Sequence, residues 1–271
     1  MPPLPQVAQK AMFMIRDPEM NMTELARVIS MDQVMTGLIL RWANSAYFGL
    51  LVPITTMQQA IMYLGQNTIQ SLILTASISS YFDRPIPGYG LDRGDLWKHS
   101  VCVAASARII ANRFGKVEAE EAYHAGLLCD IGKLVFDQAL RNFNPSTKEF
   151  ESISFDELEK TYFGIDHATL GAIVAQNWSL PPLLIDAINY HHHPGASKDF
   201  IKITSAVHLA DVFVTMLGVG IGKDGLMYRI DPMAVATLHF NEHEVDELIA
   251  RVALVIEETE VLISNVSSKR N

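Results

Sequence analysis

Residues 21–42 read NMTELARVISMDQVMTGLILRW, and this stretch decides the fold class. Asn21 is a predicted helix N-cap with Glu24 three residues later, the pattern of a capping box. Apolar side chains then recur at helical spacing on both sides of an interruption at Met31 and Asp32: Leu25, Val28, Ile29, Val34, Leu38 and Trp42. This spacing is typical of helix and not of strand, whose apolar residues alternate. We therefore predict an all-α protein.

The flanking sequence continues with short helices. Thr55 or Thr56 is predicted to begin a helix that Gly65 ends, and Asn67 to begin the next one. Because such helices are too short and too apolar to stand alone, we expect them to pack as a bundle. Asn241 and Glu244 repeat the capping pattern before a C-terminal helix. The predicted inward face of that helix carries Val245, Leu248, Ile249 and Val252.

A cluster of helix-breaking residues divides the chain after the first bundle. It consists of Pro85, Pro87, Gly88, Gly90 and Gly94. Neither proline nor glycine supports a continuous helix, so we predict a linker at 85–94 between an N-terminal helical subdomain (1–84) and a second helical domain (95–271). The second domain is predicted to begin with a long helix that Asp95 caps and that runs to Gly115.

Composition excludes several classes of protein. The chain has 271 residues, of which 49% are hydrophobic and 19% charged, a balance typical of a compact globular protein and not of a disordered one. The formal net charge is -9, which disfavours direct nucleic-acid binding. We find no apolar run long enough for a membrane span, no signal peptide, and only two cysteines, so we expect a cytoplasmic protein without disulfides.

Histidines and aspartates concentrate in the second domain. The histidines are His99, His124, His167, His191, His192, His193 and His208, and the aspartates among them are Asp130, Asp166 and Asp211. Several helices of one bundle can direct such side chains to a shared interior point, where imidazole and carboxylate suit Fe, Mn or Zn. The alternative is that each histidine lies separately at a partly solvated surface.

A glycine run near the C-terminus predicts a loop without a phosphate-binding role. It contains Gly218, Gly220, Gly222 and Gly225. Lys223 follows Gly222, but Leu217 and Asp224 stand where a P-loop requires glycine and serine or threonine. We therefore exclude a P-loop.

The chain resembles the HDOD family, a branch of the HD metal-dependent phosphohydrolase superfamily, from about Leu4 to about Thr215. The N-terminal motifs are Leu4-Pro5, Asp32, 40–49 (LRWANSAYFG) and 60–65 (AIMYLG). The C-terminal motifs are 96–100 (LWKHS), 125–134 (AGLLCDIGKL), Asp166-His167, 178–181 (WSLP), 190–192 (YHH) and 208–211 (HLAD). They occur in the order typical of the family, and the resemblance implies an HD-like helical domain after the linker.

The resemblance also implies a set of metal ligands. His99, Asp130 and Asp211 match three of the four positions that hold one metal in catalytic HD enzymes. His167, His191 and His192 match the second-metal ligands of relatives that cleave cyclic dinucleotides, and Asp95 matches a carboxylate that some of them add. The expected cofactor is a divalent metal, Fe, Mn, Zn or Ni.

Cys129 replaces the histidine of the His-Asp doublet that names the superfamily. A thiolate can bind Zn or Fe, so metal binding can survive the exchange. The alternative is that Cys129 is a small buried apolar residue and that the ligand set has decayed.

Three further residues have two interpretations each. Asp95 is either a helix N-cap or a metal ligand. Lys133 matches a lysine that such enzymes direct at substrate phosphate, or it is a solvated residue where a helix restarts. His208 lies three residues before Asp211 on one helix face, so it can hydrogen-bond to that carboxylate without binding the metal itself.

The family implies a bacterial-type signalling module as the leading function. Its HD-like half would hold a metal, and its N-terminal bundle would bind protein partners from two-component or cyclic-nucleotide systems. The alternative is a metal-dependent phosphohydrolase acting on a phosphate ester or (cyclic) nucleotide, with Asp130 and Lys133 as catalytic residues. A third possibility is a sensor that binds a nucleotide or phosphate ligand at Lys133 without cleaving it. We favour the binding module, and we expect neither nucleic acid nor a membrane as a partner.

Overall fold

A computed structural model describes most of the chain as two compact units, Pro2–Tyr81 and Phe82–Asn271. The described residues are 4–15, 17, 19–44, 52–82, 84–141, 143, 153–223 and 229–267, and the side chains at 67, 71, 80 and 260–267 fall outside the description. Residues 45–49 of the LRWANSAYFG motif, Gly225 of the glycine run and the Asn67 side chain therefore lie outside it. The regular elements of these described ranges are helices, with one isolated bridge, which confirms the all-α prediction.

The first unit contains three short helices and most of a long one. They are α1 (Gln6–Ile15), α2 (Met22–Ile29), α3 (Gln33–Ala43) and α4 (Met57–Phe82). The Asn21 side chain accepts the backbone N–H groups of Thr23 and Glu24, so the predicted cap of α2 is confirmed. Asp32, the predicted interruption, caps α3 by accepting the N–H of Met35.

Helix α4 joins two helices that the sequence predicts separately. Thr56 caps its start, because the Thr56 hydroxyl accepts the N–H of Gln59 at 3.2 Å and the Gln59 side chain accepts the N–H of Thr56 at 3.1 Å. Gly65 adopts φ 78° and ψ 167°, a conformation that glycine tolerates best, and this kinks the helix where the sequence predicts an end.

The second unit contains nine α-helices in the described ranges, with a short 3-10 helix at Pro194–Ala196. They are α5 (Asp95–Ala111), α6 (Lys116–Leu128), α7 (Lys133–Leu140), α8 (Phe155–Phe163), α9 (His167–Asn177), α10 (Pro182–Tyr190), α11 (Ile201–Met216), α12 (Pro232–Leu238) and α13 (Glu242–Ser267). Asn241 and Glu244 cap α13 reciprocally, and Leu248 and Val252 of its predicted inward face are buried.

Helix α5 is the centre of this unit and packs against α6, α11 and α13. Gly126 on α6 allows a close approach to α5, since a Cβ there would lie 3.1 Å from the Ala104 Cα. Helix α5 ends at Ala111, short of the predicted Gly115, and Gly94 occupies its N-cap.

The proline- and glycine-rich segment 85–94 is a packed turn. Ile86 and Leu91 form an antiparallel bridge, and both are buried together with Tyr89. The N–H of Gly88 donates to Asp137 Oδ1 at 2.7 Å. The segment thus belongs to the second compact unit, and its Tyr89 side chain points into that unit's interior.

None of the helices in the described ranges combines the length with the apolarity that a membrane crossing requires.

Candidate metal centre

Six of the predicted ligands come together in the core of the second unit. His99 lies on α5, Asp130 in the turn between α6 and α7, and His167 at the first position of α9. His191 and His192 directly follow α10, and Asp211 lies on α11. None of the six is more than 8% exposed. Three helices and the turns that follow α6 and α10 therefore deliver ionisable side chains to one buried interior point.

His99, Asp130 and Asp211 form the first group of donors. His99 Nε2 lies 2.9 Å from Asp211 Oδ1 and 3.4 Å from Asp130 Oδ2. Their ligand atoms all lie within 4.8 Å of one another. The set of one imidazole and two carboxylates suits a divalent cation.

His167, His191 and His192 form the second group, which meets the first at Asp130. His167 Nε2 lies 2.9 Å from His192 Nε2 and 3.4 Å from Asp130 Oδ1. His191 Nε2 lies 3.8 Å from the same Asp130 oxygen. Asp130 thus faces the first group with Oδ2 and the second with Oδ1.

These residues fit a metal on two grounds. Oδ1 of Asp130 and Nε2 of His191 are buried without a hydrogen-bond partner, which is costly for a core unless another group completes them, and Oδ2 of Asp130 is paired with the Lys133 ammonium at 3.0 Å. Two ligand atoms that each lie about 2.1 Å from one ion are about 3.0 to 3.4 Å apart in octahedral or tetrahedral geometry. The spacings of 2.9 and 3.4 Å around His99 and His167 are close to that range.

Three of the histidines donate a hydrogen bond from Nδ1 to a carbonyl or carboxylate oxygen. His99 Nδ1 donates to the Val219 carbonyl at 3.0 Å, and His191 Nδ1 to the Ile188 carbonyl at 2.7 Å. Glu159 Oε2 accepts from His167 Nδ1 at 2.7 Å. In each case the bond leaves Nε2 directed inward, as metal-binding histidines are commonly oriented.

The glycine loop, excluded above as a P-loop, supports His99. Val219 lies in it, between Gly218 and Gly220. Gly220 has φ 67°, and a Cβ there would lie 2.6 Å from the His99 Cβ. Glycine is therefore required for the loop to bring its carbonyl to the His99 ring.

Glu159 is a site residue that the sequence analysis missed. It is fully buried on α8, accepts both the backbone N–H and ring Nδ1 of His167, and also accepts the hydroxyl of Tyr89. The sequence indicates this contact only in part. Gly164 ends α8 and turns the chain back, which brings Glu159 on α8 close to the start of α9. The spacing of Ser154 and Glu157 is that of a capping box, but no residue pattern indicates a role for Glu159.

Burial and neighbouring charges together shift the pKa values of the residues in this cluster. Burial opposes ionisation of Asp130, but Lys133 and His167 hold the pKa of its carboxyl well below the usual range. Burial would lower the pKa of His167, yet Glu159 and Asp130 raise it to about 10. Burial dominates at His191 and His192 and lowers the pKa of both. Asp130 therefore carries a fixed negative charge beside the neutral imidazoles of His191 and His192, which suits a cation, whereas His167 would give up its ring proton to bind one.

Lys133 and Cys129 both lie at the edge of this cluster. Lys133 begins α7 and is buried, with Nζ 3.0 Å from Asp130 Oδ2, so the interpretation as a solvated residue is wrong. Cys129 is fully buried, and its Sγ lies within 4.8 Å of donor atoms of Asp130 and His191. Burial raises the pKa of its thiol well above the usual range.

Asp95 and His208 are placed differently from their sequence interpretations. Asp95 is the first residue of α5 and not its N-cap, and its Oδ2 accepts the N–H of Asp92 at 2.8 Å. Among the described residues, the groups with metal-ligand spacing do not include it. His208 supports His191 and not Asp211, because its Nδ1 donates to the His191 carbonyl at 2.7 Å while its Nε2 accepts the N–H of Asp231.

Comparison with known proteins agrees with this architecture. A curated relative from Treponema pallidum (strain Nichols), an uncharacterized protein, is 25% identical over 221 residues, which are 80% of this chain. The chain spans only 42% of that relative's length.

Two solved structures are similar over nearly all of the chain. One is an HDOD domain protein of unknown function from Geobacter sulfurreducens, with 28% identity and a TM-score of 0.67, covering 99% of this chain and 91% of that one. The other is named “Putative signal transduction protein”, from Marinobacter aquaeolei VT8, with 22% identity and a TM-score of 0.71, covering 98% and 60%. The HDOD domain family model matches residues 1–194, and the chain belongs to the HDOD family.

Proposed function

We propose that this protein is a metal-binding HDOD module of signal transduction that acts by binding partner proteins. The observation that carries the proposal is the buried donor cluster around Asp130, in which Asp130 Oδ1 and His191 Nε2 have no hydrogen-bond partner. His99, Asp130 and Asp211 would hold one divalent ion, and His167, His191 and His192 a second. We expect Fe, Mn, Zn or Ni.

The burial of the cluster favours a structural or regulatory metal over a substrate-binding one. Tyr89 packs beside it with its ring 5.6 Å from Lys133 Nζ and 6.1 Å from the His167 ring centre. Tyr89 itself is fully buried, as are Asp130, His167 and His191. Among the described residues this packing leaves little of the centre exposed, so we expect a phosphate ester to reach it only if the packing opens.

The first unit supports the partner-binding part of the proposal. It exposes several large apolar side chains, among them Phe13 (77% exposed), Val34 (73%), Met62 (67%) and Tyr63 (64%). A contiguous exposed apolar patch is typical of a protein-binding surface, and we propose that these side chains form one. The resemblance to the Marinobacter protein points to a signalling partner, and we propose a cytoplasmic two-component or cyclic-nucleotide protein.

Elemental analysis tests the metal centre. The protein, purified without added metal or chelator, should carry about one or two equivalents of divalent metal, and Asp130→Ala should lose them. Asp246→Ala, an exposed aspartate on α13, is the control and should keep the metal. Less than about a tenth of an equivalent after incubation with each metal would overturn the proposal.

Lys133 favours phosphate-ester hydrolysis as a second candidate function. Its buried ammonium lies 3.0 Å from Asp130 Oδ2, where it can offset charge that develops on a phosphate. A bound metal would supply Lewis-acid activation. A phosphatase and phosphodiesterase screen tests this candidate. Activity in the metal-loaded protein that Lys133→Ala abolishes would support the enzyme, and silence across the screen would leave the binding module.

A further inference from the structure

Cys129 lies among donors that are incomplete without another group. Its Sγ, a carboxylate oxygen of Asp130 and a ring nitrogen of His191 all lie within 4.8 Å of one another. Asp130 Oδ1 and His191 Nε2 are fully buried and have no hydrogen-bond partner, while Asp130 Oδ2 is paired with Lys133 Nζ at 3.0 Å. Asp130 and His191 therefore lie within reach of the Cys129 sulfur as well as of the other ligand residues.

The local backbone places this sulfur firmly. Cys129 is the C-cap of α6, and its thiol donates only a weak hydrogen bond, to the Gly126 carbonyl at 3.2 Å. Gly126 packs against Ala104 on α5, so this end of α6 cannot move away from the cluster without opening the core. The thiol can exchange its weak bond for a metal bond without movement of the helix.

We propose that Cys129 is a thiolate ligand, with Asp130 and His191, and that it makes this centre select thiophilic ions such as Zn²⁺ over Mn²⁺. The inference rests on the proposed metal centre and adds the ligand that decides which metal is bound. As the sulfur–metal bond forms, the thiol gives its proton to solvent, and no electron is transferred. Thiolate ligands favour Zn²⁺, whereas carboxylate-rich sites also suit Mn²⁺.

Cobalt substitution tests the ligand directly. Co²⁺ bound by a thiolate has a sulfur-to-metal charge-transfer absorption in the near ultraviolet, which oxygen and nitrogen ligands do not produce. The cobalt-loaded protein should show this band. Cys129→Ser should lose the band while still binding cobalt, and Cys102→Ser should keep it. Cys102 is the matched control because it is the other cysteine and is equally buried, on α5.

Metal competition tests the selectivity. In Cys129→Ser and Cys129→His, we expect the preference for Zn²⁺ over Mn²⁺ to fall by about tenfold or more relative to the unmodified protein. Cys129→His replaces the sulfur with a nitrogen donor. It therefore shows whether an effect is due to the loss of sulfur or to the loss of any ligand at this position, since imidazole does not restore the absorption band.

The outcomes distinguish this inference from the proposed function. Stoichiometric cobalt without the band, or a band that survives in Cys129→Ser, would overturn the thiolate ligand and leave the metal centre intact. Failure of the unmodified protein to bind any metal would overturn both. If Cys129→Ser does not fold, ¹¹³Cd NMR of the unmodified protein replaces it, because the cadmium chemical shift reports directly whether a sulfur is bound.

Discussion

Glu159 holds His167 by two bonds at once, accepting its backbone N–H and its ring Nδ1, each at 2.7 Å. The carboxylate thereby fixes both the start of α9 and the orientation of the ring. Glu159→Gln keeps the size of the side chain but removes its charge. We expect metal affinity to fall about 10- to 100-fold, the usual cost of losing an outer partner of a metal-binding histidine. Isothermal titration with Zn²⁺ measures it.

Glu157→Gln is the control for this prediction. Glu157 lies on the same helix but is exposed, and its carboxylate accepts the N–H of Ser154 at the helix start. Its replacement should leave metal affinity unchanged. Equal affinity in the two variants would contradict the role given to Glu159.

Gly220 and Gly218 allow a steric effect to be separated from backbone strain. Both have positive φ, 67° and 92°, so alanine strains either position by about 1 to 2 kcal/mol. Only at Gly220 would the new Cβ meet His99, at 2.6 Å, whereas at Gly218 it meets open space. We expect both variants to lose stability in urea, and Gly220→Ala alone to lose metal. If Gly218→Ala loses metal equally, the loop does not act through His99.

Gly132 is the point of closest approach between the Asp130 turn and α9. An added Cβ would lie 1.8 Å from the His167 carbonyl oxygen, and because both partners are backbone, the two segments must separate. We expect Gly132→Ala to cost about 3 kcal/mol of unfolding free energy.

Gly37→Ala is the control for Gly132→Ala. Gly37 lies inside α3 with nothing within 4 Å of the added carbon. Its replacement should stabilise the protein by about 0.5 to 1 kcal/mol. Urea denaturation measures both variants, and a Gly132→Ala protein as stable as the parent would show that the turn is free to move.

We expect His124, which is not one of the proposed metal ligands, to lower the free energy of unfolding in acid. Burial, with help from Arg108, lowers the pKa of His124 to about 4, against 6.5 for the free side chain. Between those values the unfolded chain binds a proton that the folded chain excludes, so the free energy of unfolding falls as the pH falls. By pH 4.5 this amounts to about 2 to 3 kcal/mol.

Replacing His124 should flatten this pH dependence. The difference in unfolding free energy between pH 7.5 and 4.5 should shrink by about 2 to 3 kcal/mol in His124→Leu. His243→Gln is the control, because the His243 side chain is 81% exposed and should contribute little. Parallel profiles for all three proteins would show that His124 is protonated in the folded state.

Local signals in the sequence predict the helices well. Asn21 with Glu24 and Asn241 with Glu244 cap helices because the bonds that they form span only three residues, and Gly65 kinks α4 because its own φ is positive. The end of α5 was less predictable. Nothing between Ala111 and Gly115 breaks a helix by itself, so the end at Ala111 depends on packing.

The residues of the site were predicted by family resemblance, but their partners were not. The acceptors of His99 and His167 are a backbone carbonyl at Val219 and a carboxylate at Glu159, distant in sequence or unremarkable in pattern. Lys133 is buried beside Asp130, although lysine at a helix start usually indicates solvent. Such pairings are set by the packing of helices and have no local sequence signal. The roles of the ligands themselves stay predictions until a metal is measured.

The burial of the Asp130 cluster also has a kinetic consequence. Asp130, His167 and His191 have no exposed surface, so an ion held there could exchange only when the surrounding helices come apart. Its release would proceed at the rate of that opening and would not quicken with more chelator. Loading of the purified protein with Zn²⁺, Co²⁺ or Mn²⁺ would be limited by the same opening, and the metals present while the chain folds would have the readiest access to the site.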